Sequence, residues 1–143
     1  MSNSVISGTQ LSVKCKRNST IAFDDTSKRV SSSATAQAWI ENGITFINNK
    51  SFSTSNVADY SEPVRLYANS EVIVEVEGNI SKIVFDCNSS TYATALKNSI
   101  GDNAEASSDK VTVTFTELSN SFTIAKLTAQ VRVDSITVTY VTN

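Results

Sequence analysis

From Val111 to Tyr140 the chain keeps a two-residue rhythm that a helix cannot use. Val111, Val113 and Phe115 alternate with Thr112, Thr114 and Thr116; further on, Ile136, Val138 and Tyr140 alternate with Thr137 and Thr139. Successive side chains of an extended strand point to opposite faces, so β-branched and aromatic residues at period two predict strands with one buried and one wet face. Between these runs Phe122, Ile124 and Lys126 share one parity, and Thr123, Ala125 and Leu127 the other. Three such strands joined by short polar turns predict an antiparallel meander. Earlier strands must close a core over it.

The rest of the chain supplies candidates. Residues 5–16 read as a strand or arm with Leu11, Val13 and Cys15 on one face, and Ile21–Phe23 as a second strand closed by Asp24 and Asp25. Residues 27–38 are polar and poor in large apolar side chains, which predicts a loop. Glu41-Asn42-Gly43 reads as a turn before a strand over 44–48, and 48–59 as a long polar loop carrying Phe52. Strands are predicted over 63–67 and 71–77, joined at 68–70. Gly78-Asn79 reads as the turn of a hairpin whose second arm is 80–87, with Ile83, Phe85 and Cys87 on one face. The one helix predicted is 91–100, capped by Ser89 or Ser90, with Tyr92, Leu96 and Ile100 as its apolar stripe and Gly101 ending it. Residues 102–109 read as a polar loop.

Regularly spaced short strands with polar turns predict an all-β chain: an antiparallel β-sandwich of jelly-roll type, with about nine strands and one short helix. A chain of 143 residues is one domain's worth, long enough to bury a core without staples. The expected division is an N-terminal extension or first strand over 1–19 and a sandwich over 20–143. Expected core residues are Val74, Phe85, Val113, Phe115, Ile124, Ile136 and Val138.

Several chemistries are disfavoured by what is missing. With no histidine, Ser-His-Asp and Cys-His arrangements and His-ligated zinc cannot be built. The four glycines are scattered among turns, so no phosphate-cradling loop is present. None of the acids sits in an aromatic-rich setting of the kind that builds a sugar-cleaving cleft. No catalytic residue is assigned, and the expectation is a non-enzymatic protein. A net charge of −2 leaves no basic face for nucleic acid. No apolar run approaches the ~20 residues that cross a bilayer, so membrane insertion is not expected. The first residues show no charged segment followed by an apolar one, so no secretory signal is read. The two cysteines, Cys15 and Cys87, are either one disulfide or two free thiols, and a reducing compartment favours the thiols.

Three sets of residues remain as candidate sites. Lys14, Lys16 and Arg17, with Leu11 and Val13, form a docking segment for an acidic partner, or the solvated side of the sandwich's own first strand. Trp39, Phe52, Tyr60 and Tyr67 lie in or beside the long loop and either stack on a sugar ring or pack beneath it. Among the acids Asp24, Asp25, Asp59, Glu62 and Asp134, Asp134 stands where the last strand changes parity, Val131 and Val133 before it, Ile136 and Val138 after. A parity change predicts a bulge. Asp134 with Asp24 or Asp25 is a candidate structural Ca²⁺ site; an ion pair with Arg132 or Arg65 is the alternative. No other cofactor is implied.

The run Asn42-Gly-Ile-Thr-Phe-Ile-Asn-Asn, the segment from Ser55 to Tyr67, Gly78–Cys87, Ser121–Ala125 and Gln130–Tyr140 together resemble β-sandwich modules of large surface proteins from gut bacteria and their phages. The resemblance covers roughly residues 20–141 and implies adhesion or display, with no ligand residues to carry over. Arg132-Val-Asp-Ser-Ile-Thr-Val138 also looks like the last strand of carbohydrate-binding jelly rolls. A module that starts with Met and shows no signal departs from the family's long secreted chains. It implies a virion component (capsid decoration, head-fibre or tail protein), made in the host cytoplasm and displayed on the particle surface. The implied partners are other virion proteins or further copies of itself, as a homo-oligomer, and cell-surface or mucosal glycans. The alternative is a carbohydrate-binding or adhesion module on a bacterial surface or secreted.

Overall fold

The computed structural model describes residues 14–57 and 63–142. Among them are eleven strands and one α-helix: β1 (Lys16–Ala22), β2 (Arg29–Ser32), β3 (Ala36–Glu41), β4 (Ile44–Asn49), β5 (Val64–Leu66), β6 (Glu71–Val76), β7 (Gly78–Cys87), α1 (Ser90–Ile100), β8 (Ala104–Ser107), β9 (Lys110–Thr114), β10 (Ser121–Ile124) and β11 (Val131–Thr142). They form two sheets. One has the order β1-β11-β7-β9-β8, with β5 also on β11; the other runs β10-β6-β4-β3-β2. Every ladder is antiparallel. The inward residues of both sheets meet in one core: Ile21, Leu66, Ile83, Phe85, Val113, Ile136 and Val138 from the first, Trp39, Ile44, Phe46, Val72, Val74 and Ile124 from the second. Burial contributes about 1.5–3 kcal/mol for each such side chain. The all-β reading and the two-sheet arrangement stand.

Where apolar residues alternate, the faces match the sequence. Six of the seven expected core residues are buried. Phe115 is the exception: β9 ends at Thr114, and the ring is only partly buried, set edge-on to Phe122 at 5.4 Å. The helix holds its expected place, with Ser89 as N-cap and Gly101 closing it at φ 102. Its buried stripe is Ala93 and Leu96, while Tyr92 and Ile100 are only partly covered. Asn42 (φ 55) and Gly43 (φ 82) make the two-residue turn between β3 and β4, both in the left-handed region such a hairpin requires. The bulge foreseen at Asp134 is present, as a register shift between Val133 and Ser135 against β7.

Four expectations are corrected. Residues 27–38 are not a loop: they hold β2 and the start of β3. The inward residue there is Gln37, fully buried and accepting from Asn48 Nδ2 at 3.2 Å, so a polar side chain breaks the apolar rhythm. Residues 102–109 contain β8, which turns onto β9 through Ser108 at φ 57. The C-terminal run is no meander, because β9 and β11 flank β7 in one sheet while β10 pairs with β6 in the other. Nor do β6 and β7 form a hairpin. Gly78 is where the chain crosses between sheets, passing so close to β11 that a Cβ there would lie 2.2 Å from the Val141 carbonyl oxygen. A glycine that permits close approach looks, in sequence, like a glycine that turns.

Candidate functional site

The edge of the first sheet is β1. Its seven residues pair with β11 throughout, from Lys16 opposite Val141 to Ala22 opposite Ser135. Residues 16–19 therefore belong to the sandwich, and the boundary expected at residue 19 falls inside a strand. Backbone groups on one strand point alternately to either side. The Cys15 carbonyl accepts from Thr142 N–H at 2.9 Å, and Phe23 N–H donates to the Asp134 carbonyl at 2.9 Å, so odd-numbered residues face β11. Even-numbered residues 16, 18, 20 and 22 face outward, away from the sheet.

These outward groups are treated differently along the strand. Ala22 N–H donates to Glu41 Oε1 (3.3 Å), and Asn42 Nδ2 donates to the Thr20 carbonyl (2.9 Å), so the tip of the β3–β4 hairpin covers the second half of the edge. Glu41 is itself held by Lys28 at 3.1 Å, and Lys28 also pairs with Asp24 at 2.8 Å, which raises the Lys28 pKa through these two hydrogen-bonded carboxylates. At Lys16 and Asn18 no such cap occurs among the described residues. The Asn18 side chain accepts from Thr139 Oγ1 at 3.2 Å and Thr20 Oγ1 lies 2.9 Å from Thr137 Oγ1, both cross-strand contacts to β11.

Beside this open half lies a groove of about 1240 Å³, open to solvent. One wall is β1 from Arg17 to Thr20. The other is the hairpin tip and the end of β6, with Asn42, Glu75, Glu77 and Asn120; Tyr140 and Thr142 of β11 also line it. Tyr140 is only 6% exposed, and its hydroxyl lies where a Cβ on Gly43 would stand, 2.7 Å away, so this glycine is required for room as well as for its φ. Backbone bonds from Val76 N–H to the Asn120 carbonyl (3.0 Å) and from Ile80 N–H to the Ser119 carbonyl (2.8 Å) brace the far wall. The lining offers amides, hydroxyls, one guanidinium and two carboxylates. It is a surface for hydrogen bonding and for a polar or charged ligand.

The residues expected from sequence fall in three places. Lys14, Lys16 and Arg17 are exposed, Arg17 on the groove; Leu11 and Val13 lie outside the described residues. Of the aromatic set, Trp39 is 0% exposed and packs edge-on against Phe23 at 5.1 Å with the Arg29 guanidinium over its ring at 5.9 Å, so it offers no face to a sugar. Phe52 is 79% exposed, its N–H donating to the Asn69 carbonyl at 3.2 Å in the turn that follows Tyr67. Phe52 and the partly buried Tyr67 thus stand on neighbouring loops, at the opposite end of β4 from the groove; Tyr60 lies outside the described residues. The acids do not converge. Asp24 pairs with Lys28, and Asp25 caps the 3₁₀ turn Thr26–Lys28, its pKa lowered by the hydrogen bond from Ser27 N–H. Asp134 Oδ1 takes a long 3.5 Å bond from Asn88. Among the described residues no three metal-ligating side chains come together; Asp59 and Glu62 lie outside them. The cysteines are free thiols, Cys15 exposed and Cys87 buried, and burial foremost pushes the Cys87 pKa up to about 12, aided by Asp86.

Asn18, Asn42, Glu75, Glu77, Asn120 and Tyr140 were not singled out by sequence. Only the Asn42-Gly43 turn signal bears on them, since the groove is assembled from segments far apart in the chain. Compared with protein-family models, with curated proteins and with solved structures, the chain finds no match, and nothing there identifies a surface or adhesion module.

Proposed function

We propose that this chain is a non-enzymatic structural and display protein, a β-sandwich that docks on a larger assembly through the edge of its first strand. The observation that carries the reading is the outward backbone at Lys16 and Asn18, which no described residue caps, beside the groove lined by Arg17, Glu75 and Glu77. An edge left open next to a walled groove is the geometry by which sheets accept partners. A virion surface, with other virion proteins as partners and synthesis in a host cytoplasm, is the setting that the sequence resemblance supports. The finer fold reading, a jelly-roll, is supported by the first strand lying beside the last and by β10 crossing sheets between β9 and β11; the β2-β3-β4 meander departs from it. Sedimentation of particles from the protein's source tests the docking. The intact chain should sediment with them, and a folded Lys16→Glu/Arg17→Glu variant should stay in the supernatant. Failure of the intact chain to sediment would contradict the reading.

A second reading, glycan binding, is favoured by one observation: Phe52 exposes its ring on a loop bonded to the turn after Tyr67. Aromatic rings are the usual platform for sugar faces. Glycan-array signal lost on Phe52→Ala but kept on Asn120→Ala would place the sugar at that loop. An array with no signal would remove this reading.

A further inference from the structure

The open half of β1 also defines what it accepts. We propose that residues 16–18 are a strand-addition site for an extended acidic segment of another protein, and that Lys16 and Arg17 exclude a second copy of this chain. The inference rests on the docking reading above and names the partner's chemistry.

The parity of β1 carries the first part. Lys16 and Asn18 each present an N–H and a C=O outward, at the spacing an incoming strand needs for two hydrogen-bonded residue pairs. Strand addition uses such groups for affinity and alternate side chains for specificity. The ladder cannot run on past Asn18, because the Thr20 carbonyl is taken by Asn42 and the Ala22 N–H by Glu41. The site is short. Side-chain contacts must therefore contribute much of the selectivity.

Charge carries the second part. A second copy of β1 added antiparallel about Arg17 would place Arg17 directly opposite its own equivalent, with Lys16 beside it. Like charges directly opposite on paired strands are destabilising, and basic residues on an edge are a recurrent guard against self-pairing. An incoming strand with Asp or Glu opposite Lys16 or Arg17 reverses the sign of that interaction. It also speeds encounter and fixes the register. Glu75 and Glu77 on the far wall keep those carboxylates next to β1 and away from the second sheet. Lys28, beside the sealed half of the edge, is committed to Asp24 and Glu41.

Amide-resolved NMR on the full chain tests this, with three synthetic peptides as probes: valine alternating with aspartate, valine alternating with lysine, and the aspartate peptide interrupted by proline. The aspartate peptide should shift the Lys16 and Asn18 amides and slow their hydrogen exchange, and the other two should not. Lys16→Glu/Arg17→Glu should weaken its binding about tenfold, the scale of a few exposed charge pairs. Asn18→Pro should remove binding while leaving the ladder to β11, since the Asn18 N–H faces outward. If groove amides such as Asn120 respond while 16 and 18 do not, strand addition is wrong and groove docking survives. If no peptide perturbs the edge, the proposal falls. Protection at 16 and 18 in the free protein also overturns it: lost on dilution, the occupant is a second copy; unaffected by dilution, the chain covers its own edge.

Discussion

The two halves of β1 belong to one strand and one ladder, yet they face different tasks. From Thr20 to Ala22 the strand is sealed: Ile21 is fully buried, the Thr20 carbonyl accepts from Asn42 and the Ala22 N–H donates to Glu41. From Lys16 to Asn18 every side chain is exposed and no described residue meets the outward groups. The difference comes from another part of the chain, the β3–β4 hairpin tip, which reaches only as far as Thr20. An edge can thus be closed where the core needs it and open a few residues away. Stability and recognition separate along a single strand.

The largest effect should come from the sealed half. Ile21→Ala should cost about 2–5 kcal/mol in denaturant unfolding, whereas Lys16→Ala should stay within about 0.5 kcal/mol of the parent. Comparable losses at the two positions would erase the contrast. Gly78→Ala follows. Its Cβ would meet the Val141 carbonyl at 2.2 Å, a backbone atom that cannot swing aside, so a loss of roughly 1–3 kcal/mol is expected at the far end of β11 from Asp134. Wild-type stability in that variant would mean the sheet crossing is not as close as described.

Asn42→Ala sharpens the comparison more finely. It removes the cap on the Thr20 carbonyl and puts alanine at φ 55, for a combined cost of about 1–2 kcal/mol. It should also loosen the hairpin tip over the edge, so exchange at Ala22, held by the neighbouring Glu41, should quicken toward that at Asn18. A smaller effect concerns the thiols. Native protein should consume one equivalent of thiol reagent at Cys15, and Cys87 should react only on unfolding. Because the folded Cys87 pKa is raised from 9.0 to about 12, the unfolded chain loses its thiol proton first. The Cys87 contribution to stability should therefore be full below about pH 9 and decline toward pH 12, so Cys87→Ala should make the alkaline limb shallower. Rapid labelling of both thiols in the native state would contradict this.

Much of this was legible in the sequence, and the gaps have physical causes. Alternation identifies a buried face wherever the inward residues are apolar, which is why Val74, Ile83, Phe85, Val113, Ile136 and Val138 are legible. It fails at Gln37 and Asn48, polar residues inside the core where Asn48 Nδ2 donates to Gln37 Oε1. Local caps are local chemistry, so Ser89, Gly101 and the Asn42-Gly43 turn could be read directly, as could the bulge at Asp134. Period two says which side of a strand is buried but not which sheet the strand joins, so the meander and the Gly78 hairpin were misassigned. The groove depends on that long-range assignment and was invisible. The basic residues at its mouth are visible in the sequence; the backbone between them, which matters more, has no sequence signature.

The most direct measurement is residue-resolved amide hydrogen exchange on the free protein at low concentration. Arg17, Ser19 and Ile21, facing β11, should exchange slowly. Ala22, donating to Glu41, should be intermediate, and Lys16 and Asn18 should exchange fastest in the strand. That alternation, superposed on a gradient from sealed to open, is the predicted result. Uniform protection from Lys16 to Ala22, with no odd–even difference, would contradict the account.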